Sequence, residues 1–239
     1  MMKQTMKVLV IALIAVSVQT TATVAQRGSA ADEIRVGPFN SISVAVAGEI
    51  YLKQGPEQRV IAEGSERVVE NLVAEVKNGN LTLRMPPRWR YRRGDELTVY
   101  ITVPELNGVT LSGSASMFTE GPLKTRSMTV VISGSGRVNF EELNADQLDV
   151  TVSGSGRLNV GGGSRLEKSS IVISGSGRFD APDVPVEKAN AVITGSGSCR
   201  IHVLSDLNVR ISGSGRVSYS GNPLIDARVT GSGRVVSAN

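Results

Sequence analysis

The chain has one cysteine, one histidine and one tryptophan in 239 residues. The lone Cys199 excludes an internal disulfide, and the lone His202 leaves no Ser/His/Asp arrangement to argue. An excess of one charge is lacking too, with 26 basic residues against 22 acidic ones. Without the two lysines of the leader described next, 24 basic residues would face those 22. So small an excess argues against nucleic acid as a ligand.

A long hydrophobic run is also missing. The apolar stretch Val8 to Val18 has eleven residues, where a spanning helix needs about 20. It follows Lys3 and Lys7 and precedes Thr23-Val24-Ala25, small residues suited to cleavage before Gln26. Residues 1–25 therefore read as a secretory signal peptide, with a linker over 26–33, and the mature chain is expected to be exported and not membrane-spanning. No cysteine follows the run, which excludes lipidation at that point.

What the chain has is a repeat. Ser/Thr-Gly-Ser-Gly begins at Ser133, Ser153, Ser174, Thr194, Ser212 and Thr230, and a first copy reads Ser112-Gly113-Ser114-Ala115. The intervals are 21, 20, 21, 20, 18 and 18, the mark of units that bury their apolar faces only by stacking on one another. The first and third positions before each signature are aliphatic, as in Ile171-Val172-Ile173 and Val209-Arg210-Ile211. After it, polar and apolar residues alternate again, as in Arg157-Leu158-Asn159-Val160. Period two on both sides gives two strands per unit, joined at a glycine corner.

The chain is thus expected to be all-β, a parallel, right-handed β-helix of about seven coils over 112–239 with Gly-Ser-Gly corners. One wall of its core would be Leu111, Ile132, Val152, Ile173, Ile193, Ile211 and Val229, facing Val138, Leu158, Phe179, Cys199, Val217 and Val235. Cys199 is expected as a buried structural thiol, and His202 as an exposed residue at a strand end. Residues 34–111 read as a β-rich cap continuous with the stack. It contains three strands from Ile42 to Ala62, a short helix from Ser65 to Asn71, a hairpin at Asn78-Gly79 and a strand from Leu97 to Val103.

Phe39 to Val44, Gly48 to Gln54, Val68 to Val76, Leu97 to Leu106 and the recurring Ser-Gly-Ser-Gly together resemble the head GIN domain family of auto-transporter adhesins. The resemblance covers nearly the whole mature chain. It implies an exported protein of a Gram-negative bacterium, in the periplasm or on the outer-membrane surface, with a β-helical body and an adhesin-like role. Gly-Ile-Asn itself is absent; the nearest strings are Gly136-Arg137-Val138-Asn139 and Gly156-Arg157-Leu158-Asn159, so no functional residue carries over. No strands of a membrane barrel are recognisable before Asn239, so self-export is not expected.

Enzymes built on β-helices need carboxylate clusters or paired acids. Here Asp180 stands alone among outward-facing Arg137, Asn139, Arg157, Asn159, Arg178, Arg200, Arg216 and Ser218, and the corners lack the aspartates of calcium-binding repeats. The corner serines read as hydroxyls that hydrogen-bond along the stack. No catalytic residue, metal or cofactor is assigned, and a glycan lyase or glycosidase is the rival reading.

Two surface features suit binding. Arg137, Arg157, Arg178, Arg216 and Arg234 form a ladder with a gap at Ser198. Either each guanidinium bonds a loop carbonyl or an acid such as Glu141, Asp180 or Asp183, the favoured alternative, or an anionic polymer runs along the axis. The second feature is Arg88, Trp89, Arg90, Tyr91, Arg92 and Arg93, following Pro86-Pro87. It is either a solvated hairpin loop or a site for sugar, phosphate or lipid headgroups. The partners expected are an anionic glycan or an envelope protein. Self-association or a partner strand is expected at the last coil, Thr230 to Val236, where nothing covers the strands, and Val131, Val172 and Val192 add outward apolar surface.

Overall fold

The computed structural model describes residues 29–238, so the signal-peptide reading lies outside the described residues. Before the repeats come β1 (Ser29–Glu33), β2 (Ser41–Ala45), β3 (Glu49–Gln54), β4 (Arg59–Ser65), α1 (Glu66–Val69), β5 (Val73–Lys77), β6 (Asn80–Arg84) and β7 (Leu97–Val103). The repeats begin with β8 (Gly108–Gly113), β9 (Ser116–Thr119), β10 (Pro122–Lys124), β11 (Ser127–Gly134), β12 (Arg137–Phe140), β13 (Glu142–Asn144), β14 (Gln147–Gly154) and β15 (Arg157–Val160). They continue through β16 (Leu166–Gly175), β17 (Arg178–Gly195), β18 (Ser198–Gly213), β19 (Arg216–Ser220), β20 (Leu224–Thr230) and β21 (Arg234–Ser237).

Each repeat lays one strand on a first wall, turns at its glycine corner, and lays the next on a second wall. Pairing between repeats is parallel and in register, with Ser133 opposite Ser112 and Ser153, and Arg157 opposite Arg137 and Arg178. The seven corners bound about six complete turns of the solenoid. Inward residues form the expected ladders, with Ile132, Val152, Ile173 and Ile193 buried against Val138, Leu158, Phe179 and Cys199. Val229 departs from that expectation and is 41% exposed, because no strand packs beyond β20 among the described residues.

Backbone groups hold the corners. The N–H of Ser176 donates to the carbonyl of Gly154 at 2.9 Å and that of Arg178 to Gly156 at 2.9 Å, a pattern repeated from level to level. Gly175 sits at φ +109, and a Cβ there would lie 2.7 Å from the Gly154 oxygen. Glycine is required at that position both by the dihedral and by the stacking distance.

The segment before the repeats is more than a cap. β2 and β3 lie directly under β8 and β9 in parallel register, Val44 opposite Leu111 and Ile50 opposite Met117. β6 and β7 in turn lie under β2 and β3, again parallel. Two further levels therefore extend the stack, and they are out of sequence order: the chain builds one level, passes beneath it to build another, then returns to the first level's other side. Antiparallel strands form the outer edge, β5 along β6, β4 along β7, and β1 along β4.

Three local expectations change. The last five residues of the stretch read as a linker form β1, and β8 crosses the anticipated boundary at 111/112. The helix spans only Glu66–Val69 and Ser65 makes no side-chain cap; its hydroxyl donates to the Gly94 carbonyl at 3.2 Å and accepts from the Glu96 N–H at 3.0 Å. The hairpin is as expected, with Asn78 and Gly79 both at positive φ, the dihedrals a two-residue turn of this hand needs.

Candidate functional site

Strand alternation and the corner together fix what the outer edge of the solenoid presents. At every corner two hydroxyl positions flank the positive-φ glycine and point outward: Ser112, Ser133, Ser153, Ser174, Thr194, Ser212 and Thr230 in one column, Ser114, Ser135, Ser155, Ser176, Ser196, Ser214 and Ser232 in the other. They are exposed, and none makes a side-chain hydrogen bond to the described residues. The expectation that these hydroxyls bond along the stack is therefore corrected. The peptide groups already link the levels and leave the side chains to solvent.

Two residues past each second hydroxyl stands the arginine column. Its register runs Ser116, Arg137, Arg157, Arg178, Ser198, Arg216, Arg234. Neighbouring levels are about 4.8 Å apart, so the ladder covers roughly 24 Å of the axis. All five arginines are exposed, and among the described residues none of their guanidinium groups is in an ion pair or side-chain hydrogen bond. Two of the three acids expected to neutralise them are engaged elsewhere: Glu141 accepts from the Gly121 N–H at 2.8 Å, and Asp180 lies 3.6 Å from Arg200. Asp183 is exposed and forms no ion pair among the described residues.

The gap in the ladder is a notch. Ser198 forms its floor, Arg178 and Arg216 stand on either side, and Ser176, Ser196 and Ser214 line a groove of about 460 Å³ that reaches Asp180 and Arg200. Cys199 lies under it, buried as expected. Burial above all, with the charge of Asp180 second, pushes its thiol up to about 12, which leaves it a packing group. His202 Nδ1 lies 2.8 Å from Ser220 Oγ, and the ring is half-buried where full exposure was expected.

The arginine-aromatic loop belongs to the same edge. It joins β6 to β7 in place of a glycine corner and folds over the neighbouring corners, so that Arg88, Trp89 and Tyr91 face Ala47 and Ser112-Gly113-Ser114 across a groove of about 400 Å³. Tyr91 Oη accepts from the Ala47 N–H at 2.9 Å, and Asp95 accepts from the Arg92 N–H at 2.7 Å. Arg67 from α1 pairs with Asp95 and sits 4.3 Å from the Trp89 ring centroid, while Tyr91 meets the same ring edge-on. One face of the tryptophan is therefore occupied from within, and the loop is an anchored structure. Arg88, Arg90, Arg92 and Arg93 remain exposed, with no guanidinium partner among the described residues.

Sequence reasoning missed Arg67, because nothing local connects a helix residue to a loop more than twenty positions away. It also missed an aromatic column on the second wall, where Tyr100, Tyr51 and Phe118 stack at 5.5 and 5.6 Å. Those rings cover one another's faces, so the column supports strand pairing rather than offering a platform for sugar. Beyond it the column continues as Asn139 and Asn159, joined by a 2.7 Å amide hydrogen bond, and then Asp180.

The family model described as "Putative auto-transporter adhesin, head GIN domain" matches residues 38–223. The chain belongs to the head GIN domain family. Among solved structures, this head GIN domain protein is similar to a putative adhesin from Bacteroides fragilis NCTC 9343, at 22% identity and a TM-score of 0.84, over 88% of this chain and 97% of that one. A putative adhesin from Parabacteroides merdae ATCC 43184 aligns at 22% identity and a TM-score of 0.69, over 88% and 96%. A protein from Parabacteroides distasonis ATCC 8503, described as a putative lipid binding protein, aligns at 23% identity and 0.69, over 90% and 98%. No curated protein matches the sequence. At these identities the solved structures establish the fold alone. No helix among the described residues is long and apolar enough to cross a membrane.

Proposed function

We propose that this head GIN domain protein is an exported, non-enzymatic and adhesin-like module of the cell envelope that holds an anionic glycan along its corner edge. The observation that carries this reading is the register of five unpaired guanidinium groups beside two columns of unpaired hydroxyls. Like charges held about one strand spacing apart repel, and a polyanion along the axis would turn that repulsion into attraction. Guanidinium groups suit carboxylate, sulfate and phosphate oxygens through paired donors, while the serines supply the neutral hydrogen bonds a sugar needs. The rise per level is close to the length of one sugar ring, so a polymer charged on every ring fits the ladder better than one charged on every second ring. The arginine-rich loop extends the positive edge past Ser114.

Asp180 is paired with Arg200 and has no second carboxylate opposite it in the notch, which supports a binding role over glycosidic cleavage. The family's adhesin description and the lipid-binding description of one structural neighbour both suit a charged envelope saccharide. The test is a glycan array that carries polyuronate, lipopolysaccharide and uncharged dextran. Retention of the charged polymers at low salt and their release near 1 M salt, where screening acts within about 3 Å, is the expected result. Equal retention of dextran, or no retention of any charged glycan, overturns the reading.

A further inference from the structure

β20 is the one first-wall strand in the repeats with a free long edge among the described residues, since β18 pairs its other side. Its inward residues Ile225 and Val229 are 42% and 41% exposed, although the residues above them in the same ladder, Leu207 and Ile211, are buried. Leu224 is 79% exposed. At the opposite end of the stack the outermost strands are β5 and β1, which run antiparallel to β6 and β4. That end does not repeat the β20 edge, whereas a second β20 does, so the joint that pairs like with like is tail-to-tail.

The sequence of β20 fits that geometry. In an antiparallel self-pair centred on Ala227, Ile225 of one copy faces Val229 of the other and both point inward. Asp226 faces Arg228 on the outer surface, and the two-fold axis repeats the contact, which gives two opposite-charge pairs. We infer that two copies of this protein join through β20 in an antiparallel, two-fold pairing about Ala227, which merges their solenoids into one continuous core. The joint completes the hydrogen bonding of the open edge, covers Ile225 and Val229, and closes the assembly at two copies.

Charge exchange tests the register itself. In the full chain, Arg228→Asp sets Asp226 of each copy against an introduced aspartate across the joint, and Asp226→Arg sets two arginines against each other. Molar mass by light scattering should show a dimer for the wild type and about tenfold weaker dimerisation for each variant. An equimolar mixture of the two variants should recover a dimer, because every pair is then of opposite charge; misfolded variants would not recover. A wild-type monomer at high micromolar concentration overturns the inference. So does undiminished dimerisation of either variant, or a mixture no tighter than its components.

Discussion

At the N-terminal end of the solenoid the levels run out of sequence order, no Ser-Gly-Ser-Gly corner is used, and the outermost strands are antiparallel. From Ser112 onward the levels follow sequence order with one corner repeated seven times, and the last level leaves core-facing Ile225 and Val229 exposed. The difference separates two ways of making a parallel stack. A fixed glycine corner propagates a register indefinitely but cannot end it. An irregular segment, with longer loops and reversed strands, supplies the end. The long loop between β6 and β7 is part of that closure, and it is also where the chain places its only tryptophan and four exposed arginines. The positive edge thus combines a periodic part and a unique part.

A single charge placed in the core ladder should have very different effects at a covered level and at the open one. Ile173→Asp places an unpaired carboxylate among fully buried aliphatic side chains and should abolish cooperative folding, at a cost of several kcal/mol. Val229→Asp, in the same ladder but at the open level, should cost about 1 kcal/mol or less in dilute protein. Equal thermal melting shifts for the two would mean that the last level is covered in solution.

A smaller effect separates backbone from side chain at one corner. Gly175→Val must adopt positive φ and push against the Gly154 carbonyl, and should destabilise by about 2–4 kcal/mol. Ser176→Ala removes a hydroxyl that bonds none of the described residues and should change stability by less than about 0.5 kcal/mol. Denaturant unfolding of both variants decides this, and the reverse ranking would show that the hydroxyls hold the levels together.

The smallest effect concerns the unique part of the edge. Arg67→Ala removes the cation beside Trp89 and the partner of Asp95, and should cost about 1–2 kcal/mol while loosening the loop. Since Trp89 is the only tryptophan, its emission reports the change directly and should shift to longer wavelength. Unchanged emission would mean that the loop is held by Tyr91 and Asp95 alone.

The regular part of the fold was legible because period two and the corner spacing act within single strands, where sequence neighbours decide which face is buried. Ile132, Val152 and Ile173 fell into place for that reason. The order of levels was not legible. β2 alternates in a way compatible with pairing either β6 or β8, and it pairs with both, so nothing in the residues shows that β6 lies on its far side. The arginine ladder was visible as a column, but whether its charges are neutralised depends on where Glu141 and Asp180 point, and both turned out to have other partners. The hydroxyl columns were misread because a serine beside a glycine corner can bond the next level; here the peptide N–H groups had already taken those carbonyls.

If the unpaired arginine ladder binds a polyanion, a fluorescent polyuronate will distinguish the wild type from Arg157→Gln/Arg178→Gln at two salt concentrations. Each guanidinium contact with a carboxylate contributes on the order of 1.5 kcal/mol, so the double variant should bind at least tenfold more weakly, with a shallower salt dependence and an unchanged melting temperature. Equal affinity for the two proteins at both salt concentrations would contradict the account.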